Sequence, residues 1–300
     1  MGIRLVMRAK MTPDSSSQSG PEYSVRVTPE DLQTALARAL ATADAGLVAP
    51  EFAAQIDVLA PTRPELGDWT TPVALRAAAS PTKRTELAAH LCTELRTFPE
   101  VADAVIAGPG FVNVTLTPAG RAHVICDIVT AEETDAGGGA GPDPTPLRAL
   151  LSGSDQESVQ APLVYGTDVH IDPVSVDALQ RGHAAACREQ RRAHRAGIQT
   201  EGVDIARLGH PIEARMLNAV AGLPSALERS RRLGEADPFL TALVELGDSV
   251  ENWIRRCPVT PTVDEDITVT HTSRLLALRA VIIVLAAGLR QLGASAPERI

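Results

Sequence analysis

A glycine- and proline-rich stretch, residues 136–146 with the sequence AGGGAGPDPTP, divides the chain into two parts. Glycine and proline both disfavour regular structure, so the stretch is typical of a flexible linker. Before it, apolar residues follow helix and strand periods in turn, whereas after about residue 172 they follow the helical period almost throughout. We therefore predict a disordered tail at 1–27, an α+β unit with a small sheet at 28–130, a flexible linker at 131–171, and an all-α bundle at 172–300.

The composition favours two folded cores made of aliphatic side chains. Of the 300 residues, 44% are hydrophobic but only 3% are aromatic, so leucine, valine, isoleucine and alanine must fill the interior. The four cysteines, Cys92, Cys126, Cys187 and Cys257, stand far apart, without the Cys-x-x-Cys or Cys/His spacing of a zinc site. We therefore predict reduced thiols, no metal and no cofactor.

Two stretches of the sequence bear on cellular location. Residues 1–19 lack the apolar core of a secretion signal. The most apolar run, residues 281–287 (VIIVLAA), is much shorter than the roughly 20 residues that cross a bilayer. We expect a cytoplasmic protein that does not use a membrane as a partner. Met1 and Met11 are alternative starts, between which the sequence does not decide.

The first unit shows clear boundaries of helices and strands. Thr28 followed by Pro29 predicts the start of a helix, because threonine caps helices and proline suits their first turn. Residues 55–59 alternate as a strand does, and Thr71 and Ser80 each precede a proline that opens a further helix. Residues 101–107 and 111–116 predict an antiparallel hairpin around the turn at 108–110 (GPG).

Two segments of this unit resemble the N-terminal additional domain of arginyl-tRNA synthetases. They are residues 63–75 (RPELGDWTTPVAL) and 107–114 (AGPGFVNV), and Pro72 departs from the Asn that is usual in the family. The resemblance implies that Phe111 and Asn113 read the D-loop of a tRNA, since a ring stacks on an unpaired base and an amide bonds its edge. The two residues share one face of a strand; if that face is buried, Phe111 is a core residue instead.

The second unit resembles the anticodon-binding domain of the same synthetases, known as DALR. The similar segments are residues 172–193 (DPVSVDALQRGHAAACREQRRA), 210–217, 242–253, 255–259 and 292–300 (LGASAPERI). Arg181 and Ala185 depart from the family, which has Tyr and Arg there. Independently, leucine and isoleucine recur from Leu275 to Leu292 at alternating spacings of three and four, which predicts a long helix with one buried stripe.

Charge locates a candidate RNA-binding surface in this second unit. Residues 1–171 hold 21 acidic and 12 basic residues, residues 172–300 hold 16 of each, and ten arginines against five acids lie between Arg181 and Arg232. Arginine suits contacts with phosphate and base edges. We name as the arginine stripe the residues Arg181, Arg188, Arg191, Arg192 and Arg195. The predicted RNA-binding residues are the stripe together with His183 from the family motif and, in the first unit, Phe111 and Asn113.

A solvated helix face is the alternative explanation of the arginine stripe. The first unit adds weight to it, because residues 28–130 hold 7 basic and 12 acidic residues, a balance that opposes phosphate binding.

The sequence lacks the catalytic motifs that the resemblance leads one to look for. In the synthetases a large nucleotide-binding domain lies between the two units, whereas here only about 50 residues separate Pro118 from Ile171. Neither His-x-Gly-His nor a lysine-rich Ser loop occurs, and there is no Walker-type phosphate loop. We therefore predict a protein that is not an enzyme and that binds tRNA, arginine tRNA being the first candidate, with no role for DNA.

Two other functions are kept open at this point. One is a protein-interaction module that kept the fold, lost its affinity for RNA and docks on a partner in translation. The other, a free-standing arginine–tRNA ligase, is the least favoured, because the chain has no scaffold for the adenylate.

Overall fold

The computed structural model describes residues 27–44, 46–50, 52, 56–136, 146–151 and 172–300. Residues 1–26 of the predicted tail lie outside this range, as do residues 137–145 and 152–171 of the predicted linker. The described residues form a small sheet with helices, followed by a bundle of long helices. This confirms the predicted fold class.

The first part of the chain folds around a three-stranded antiparallel sheet. Its strand order is β1-β3-β2, so the third strand in the sequence is central. Leu87, Leu91 and Leu95 of one helix are fully buried against this part of the core. The elements are α1 (Pro29–Ala41), β1 (Trp69–Thr71), α2 (Val73–Ala77), α3 (Arg84–Leu95), β2 (Val101–Ala107) and β3 (Phe111–Leu116).

The start of α1 is stabilised by a reciprocal cap. The Thr28 hydroxyl accepts a hydrogen bond from the backbone N–H of Asp31 at 3.3 Å, and the Asp31 carboxylate accepts one from the N–H of Thr28 at 3.1 Å. Two N–H groups that a helix leaves without partners are thereby satisfied. The predicted helix start is confirmed.

The strand predicted at residues 55–59 is wrong for the part that the structure describes. Residues 56–58 have no regular structure, and Leu59 makes a single bridge to Thr70 through two backbone hydrogen bonds of 2.8 Å. The pairing ends there because Pro61 and Pro64 have no N–H to donate, and Pro64–Leu66 forms a short 3₁₀ turn. The alternating pattern predicted a strand, but a strand also needs a neighbour to pair with, and in the described residues 56–59 only Leu59 has one.

Long helices form the rest of the structure, the first of them before the stretch 136–146 that divides the chain and the others after it. They are α4 (Pro118–Ala136), the short α5 (Pro146–Leu151), α6 (Pro173–Arg195), α7 (Pro211–Leu233), α8 (Asp237–Arg256) and α9 (Val269–Gln291). Helix α4 runs past the boundary predicted at residue 130, and α5 falls inside the predicted linker. The domain boundaries themselves stay predictions.

Helix α9 is the centre of the bundle. Leu275, Leu278, Leu285 and Leu289 are buried as expected, but so are small and branched residues on other sides, including Ala280 and Val284. The prediction of a single buried stripe is incomplete, because α6 and α8 cover one side of α9 while α4 and α5 cover another. Among the described residues, α9 alone has the length and hydropathy of a membrane span, and 61% of that stretch is buried inside the protein.

The two parts of the chain contact each other over several elements. Helix α4 lies against α7 and α9, and α1 also contacts α7. Arg279 of α9 bonds Glu133 at 2.8 Å and Glu132 at 3.0 Å, both on α4. The Trp69 ring approaches α7 at Gly222, where a Cβ would lie 3.6 Å from the ring. The sheet and the bundle therefore share an interface that the linker pattern did not predict.

Candidate nucleic-acid interface

Helix α6 carries the arginine stripe on the face opposite its core. Its N-terminus is capped by Asp172, whose carboxylate accepts the N–H groups of Val174 and Ser175, each at 3.2 Å. At 100° per residue, Arg181, Arg188, Arg192 and Arg195 share one face, and all four are exposed. The buried residues Leu179, His183, Ala186, Cys187 and Ala193 lie on the opposite face, and the buried Ala184 lies at the side.

Several members of the stripe already have acidic neighbours. Arg181 pairs with Asp177 one turn earlier, and Arg192 lies 3.7 Å from the carboxylate of Glu189. Arg188 and Arg195 make no hydrogen bond or ion pair with any other described residue. Surface pairs of this kind contribute little and exchange readily with other ions. The stripe is therefore an open cationic surface with two free arginines and three paired ones.

A C-terminal segment, residues 295–300, lies along the edge of this surface. The Gln180 amide donates to the carbonyl of Ser295 at 2.9 Å, and the His183 Nδ1 is 3.0 Å from the carbonyl of Pro297. Since a carbonyl only accepts, Nδ1 must carry the hydrogen. Arg191 donates to the carbonyl of Glu298 at 3.1 Å. Three side chains of α6 thus bind three successive parts of the segment.

His183 is placed inside the protein rather than on its surface. Only 3% of the residue is exposed, and its Nε2 lies 3.7 Å from the sulfur of Cys187. Burial raises the pKa of the Cys187 thiol, and the nearby Glu298 carboxylate raises it further. The thiol is therefore protonated near neutral pH. Because the His183 ring is buried, it is not exposed for the predicted contact with RNA.

A further group of arginines, Arg229, Arg231 and Arg232, lies near the C-terminal end of α7. Glu213 near the start of α7 bonds Arg274 near the start of α9. The loop after α6 reaches the same end of the bundle, where the Asp204 N–H donates to the Ser273 hydroxyl at 3.1 Å. The three arginines stand at the other end of α7. The later half of the stripe and this cluster do not share a surface.

Phe111 and Asn113 lie on the central strand of the sheet. Asn113 pairs with Thr70 on one side and Val105 on the other, and 4% of it is exposed. Phe111 is half-buried and pairs with Ala107 next to the turn. Gly110 in that turn has a φ of 123°, and a Cβ there would lie 2.9 Å from the backbone nitrogen of Leu75. The turn needs glycine at this point, and it leaves Phe111 at the rim of the sheet with part of its ring exposed.

Asp68 joins the sheet to the helical bundle. One carboxylate oxygen accepts the N–H of Leu116 at 2.6 Å, and the other accepts from Arg121 and from the Asn218 amide, each at 2.7 Å. The carboxylate is buried, and the Arg121 guanidinium is the charged group that pairs with it. Gly67 before it has a φ of 105°, and a Cβ there would lie 2.7 Å from the Val114 carbonyl.

Two families of domains match this chain. Residues 30–116 match the arginyl tRNA synthetase N terminal domain, and residues 179–300 match the DALR anticodon binding domain. The chain therefore combines an arginyl-tRNA-synthetase-type N-terminal domain with a DALR-type anticodon-binding domain. Between the two matches lie 62 residues, 117–178, which neither family model covers.

Curated relatives of the chain carry the name arginine–tRNA ligase. The ligase of Clavibacter sepedonicus is 31% identical over 182 residues, which cover 60% of this chain and 31% of the ligase. That of Renibacterium salmoninarum is 32% identical over 121 residues, covering 40% and 22%, and that of Gluconobacter oxydans is 45% identical over 142 residues, covering 46% and 20%. This chain spans about a fifth to a third of the length of these relatives. No solved structure matches it significantly.

These matches give the segments described above a family context. The Gly67–Asp68 pair belongs to the synthetase-type N-terminal domain, and here it bonds α7 of the DALR domain. The C-terminal segment belongs to the DALR domain and binds its first matched helix. Both motifs make contacts within the folded protein, so their presence alone does not identify contacts with RNA.

An open cavity of about 370 Å³ lies beside the start of α9 in the DALR domain. It is lined by Pro258, Glu265, Asp266, Thr268, His271 and Arg274. The Thr262 N–H lowers the pKa of the Glu265 carboxyl by donating to it at 3.0 Å. Burial, together with the charge of Arg274, lowers the pKa of His271. These groups are occupied in local hydrogen bonds that shape the loop and the helix start.

The described residues contain no group of three or more His, Cys, Asp or Glu that could hold a metal ion. Cys92, Cys126, Cys187 and Cys257 are all free thiols. Burial is the main reason that the pKa of each of the four is raised. An activated thiol would need the opposite shift.

Sequence reasoning missed the residues that connect the two domains. Asn218 bonds Asp68 from 150 positions away, and Ser225 of α7 bonds Glu30 of α1. No local sequence pattern indicates that an asparagine or a serine on a helix will bond a residue so far away in the sequence. Gln180 belongs to the DALR-like motif, but the motif does not indicate that its side chain binds the C-terminal segment.

Proposed function

We propose that this protein binds tRNA through the arginine stripe of its DALR domain and carries no aminoacylation activity. The observation that carries the proposal is the exposed face of α6, where Arg188 and Arg195 have no partner among the described residues. Guanidinium groups spaced along one helix face suit the phosphates of a folded RNA. Arginine tRNA is the first candidate, since the named relatives are arginine–tRNA ligases.

The lack of catalysis is inferred from what separates the two domains. The 62 residues between them include all of α4 and all of α5, and both helices pack against α7 and α9. The sequence contains no His-x-Gly-His motif and only two lysines. An ATP–pyrophosphate exchange assay with arginine and tRNA should therefore give no signal above the enzyme-free background. Exchange at a rate that scales with protein concentration would reject this part of the proposal.

The RNA-binding part is tested by mobility shift with bulk tRNA and purified arginine tRNA over a salt series. We expect saturable binding that weakens as salt rises, because phosphate contacts release counterions. Arg188→Ala combined with Arg195→Ala should weaken binding and lower the salt slope by about 2, one unit for each lost phosphate contact. Absence of binding at about 50 mM salt, where such contacts are strongest, would reject the RNA proposal.

A matched control separates a local site from a general charge effect. Arg229→Ala combined with Arg290→Ala removes two exposed arginines at the other end of the bundle and changes net charge by the same amount. We expect this variant to bind tRNA almost as the unchanged protein does. Equal losses in both double variants would mean that the stripe is not a specific surface.

The alternative function is a protein-interaction module that docks on a partner in translation. Two observations favour it: three members of the stripe already pair with carboxylates, and the first domain carries more acidic than basic residues. A cytoplasmic location fits either function. The same mobility-shift series decides between them.

A further inference from the structure

Arg191 differs from the rest of the arginine stripe because its partner lies far away in the sequence. One nitrogen of its guanidinium donates to the Glu298 carbonyl at 3.1 Å, and another lies 3.7 Å from the Glu298 carboxylate. The Arg191 side chain is 29% exposed, so it stands at the edge of the open surface rather than inside the core.

The backbone and the side chain of Glu298 are held very differently. The C-terminal segment is fixed through main-chain carbonyls by Gln180, the buried His183 and Arg191 itself. By contrast, the Glu298 side chain is 76% exposed and meets Arg191 at the long distance of 3.7 Å. The carboxylate can therefore leave Arg191 without releasing the segment, since an exposed ion pair of this kind is weak.

Carboxylate and phosphate oxygens bind a guanidinium in the same way. Both offer oxygens that match its planar fork of N–H groups. A phosphate that approaches Arg188 or Arg192 from solvent also comes close to Arg191, one turn or less away on the same helix. Glu298 then occupies the position that such a phosphate would take.

We propose that Glu298 is an internal competitor of phosphate at Arg191 and so limits the affinity of the arginine stripe for RNA. This inference rests on the proposed function for its biological meaning. Its physical content is narrower: an anion bound from solution displaces the Glu298 carboxylate, while the C-terminal segment stays in place.

The test is the variant Glu298→Gln in the full chain, which keeps the shape of the side chain and removes its charge. We expect tRNA to bind two- to fivefold more tightly at about 50 mM salt, in line with the loss of one exposed ion pair. Heparin, a sulfated polyanion, serves as a second probe that does not depend on RNA recognition. The variant should elute from heparin at higher salt than the unchanged protein.

Glu235→Gln is the matched control, because it makes the same change in net charge at an exposed residue between α7 and α8. It should shift neither readout as far as Glu298→Gln. In the background of Arg191→Gln, the effect of Glu298→Gln should disappear, since the competition needs the guanidinium. Equal heparin elution of the two glutamine variants, or an undiminished effect without Arg191, would overturn the inference.

The two probes keep the inference distinct from the proposed function. If no variant binds tRNA but Glu298→Gln still elutes later from heparin than Glu235→Gln, the RNA proposal fails and the competition at Arg191 stands. If tRNA binds but Glu298→Gln changes neither readout, the RNA proposal stands and the competition is rejected.

Discussion

Asp68 and Asn218 are joined by a hydrogen bond of 2.7 Å that connects the sheet domain to the helical domain. The same carboxylate bonds Arg121 and the backbone of Leu116. Removing this buried carboxylate would leave its three donors without a partner, so the contacts stabilise the structure as a set. The relationship ties the packing of two domains to a single side chain.

Replacing Asp68 should therefore destabilise the whole chain. We expect Asp68→Ala to lower the free energy of unfolding by about 3–5 kcal/mol, because Arg121 is left buried without its partner. Asn218→Ala should cost about 1.5–3 kcal/mol, the value of one hydrogen bond to a charged group. Urea unfolding followed by circular dichroism measures both.

Asp103→Ala is the control for this pair of variants. Asp103 bonds Arg96 at 3.0 Å, but the two side chains are about half exposed. Its loss should cost less than about 1 kcal/mol. Equal costs for Asp68 and Asp103 would show that the buried network does not stabilise the fold.

A second buried ion pair, between Glu213 and Arg274, should matter in the same way within the DALR domain. Glu213 is 1% exposed, bonds Arg274 at 2.7 Å and accepts the N–H of His210 at 2.9 Å. We expect Glu213→Ala to cost about 3–5 kcal/mol, because the Arg274 charge loses its partner and α7 loses its cap. Glu251→Ala, which removes an exposed partner of Arg255, should change stability by less than about 0.5 kcal/mol in the same urea titration.

The four thiols should react slowly while the protein is folded. Burial raises the pKa of each above its ordinary value, so little thiolate is present at pH 8. Release of the yellow anion from Ellman's reagent should be slow in buffer and complete within minutes in denaturant. Fast reaction of any one thiol in the folded protein would contradict this placement.

His271 should make the start of α9 sensitive to acid. Its Nδ1 accepts the N–H of Thr268 at 3.1 Å, which requires the neutral ring. The pKa of His271 is lowered from its ordinary value of 6.5, mainly by burial and also by the charge of Arg274. The neutral form is thus favoured by folding, so this contribution to stability is present above the unfolded pKa and is lost as pH falls through the folded one.

The measurement is an NMR titration of the His271 ring together with urea unfolding at pH 8 and pH 5. His271→Ala should be less stable than the unchanged protein at pH 8 and nearly equal to it at pH 5. A ring that titrates above 6.5, or a stability difference that grows in acid, would show that the charged form is the one that the fold prefers.

Local patterns predicted the parts of this structure that depend on near neighbours. The Thr28 cap uses a residue three positions on, and the hairpin at 101–116 uses its own glycine turn, so both could be expected from the sequence. The burial of His183 could not, because it depends on Pro297 more than a hundred residues away. The leucine spacing of α9 predicted one buried stripe. Because alanine is small and only weakly hydrophobic, Ala277 and Ala280 did not indicate that α9 is also buried against α4 and α5.

The same limit applies to the candidate interface. A spacing of seven residues predicted that Arg181, Arg188 and Arg195 lie near one helix face, bordered by Arg191 and Arg192, and the first three are exposed in the structure. The partner of Arg191 was not predicted, since Glu298 lies 107 positions away in the sequence. A contact with RNA by any of these residues stays a prediction until binding is measured.

The contact of α4 with α7 and α9 bears on what holds the protein together. Because the sheet domain and the helical domain are bonded through Asp68, Glu132 and Glu133, the peptide chain between residues 136 and 146 is not their sole connection. A protease cut there would leave two fragments that remain associated as a noncovalent complex. Cleavage would then be visible on a denaturing gel, whereas the size of the complex measured in solution would not change.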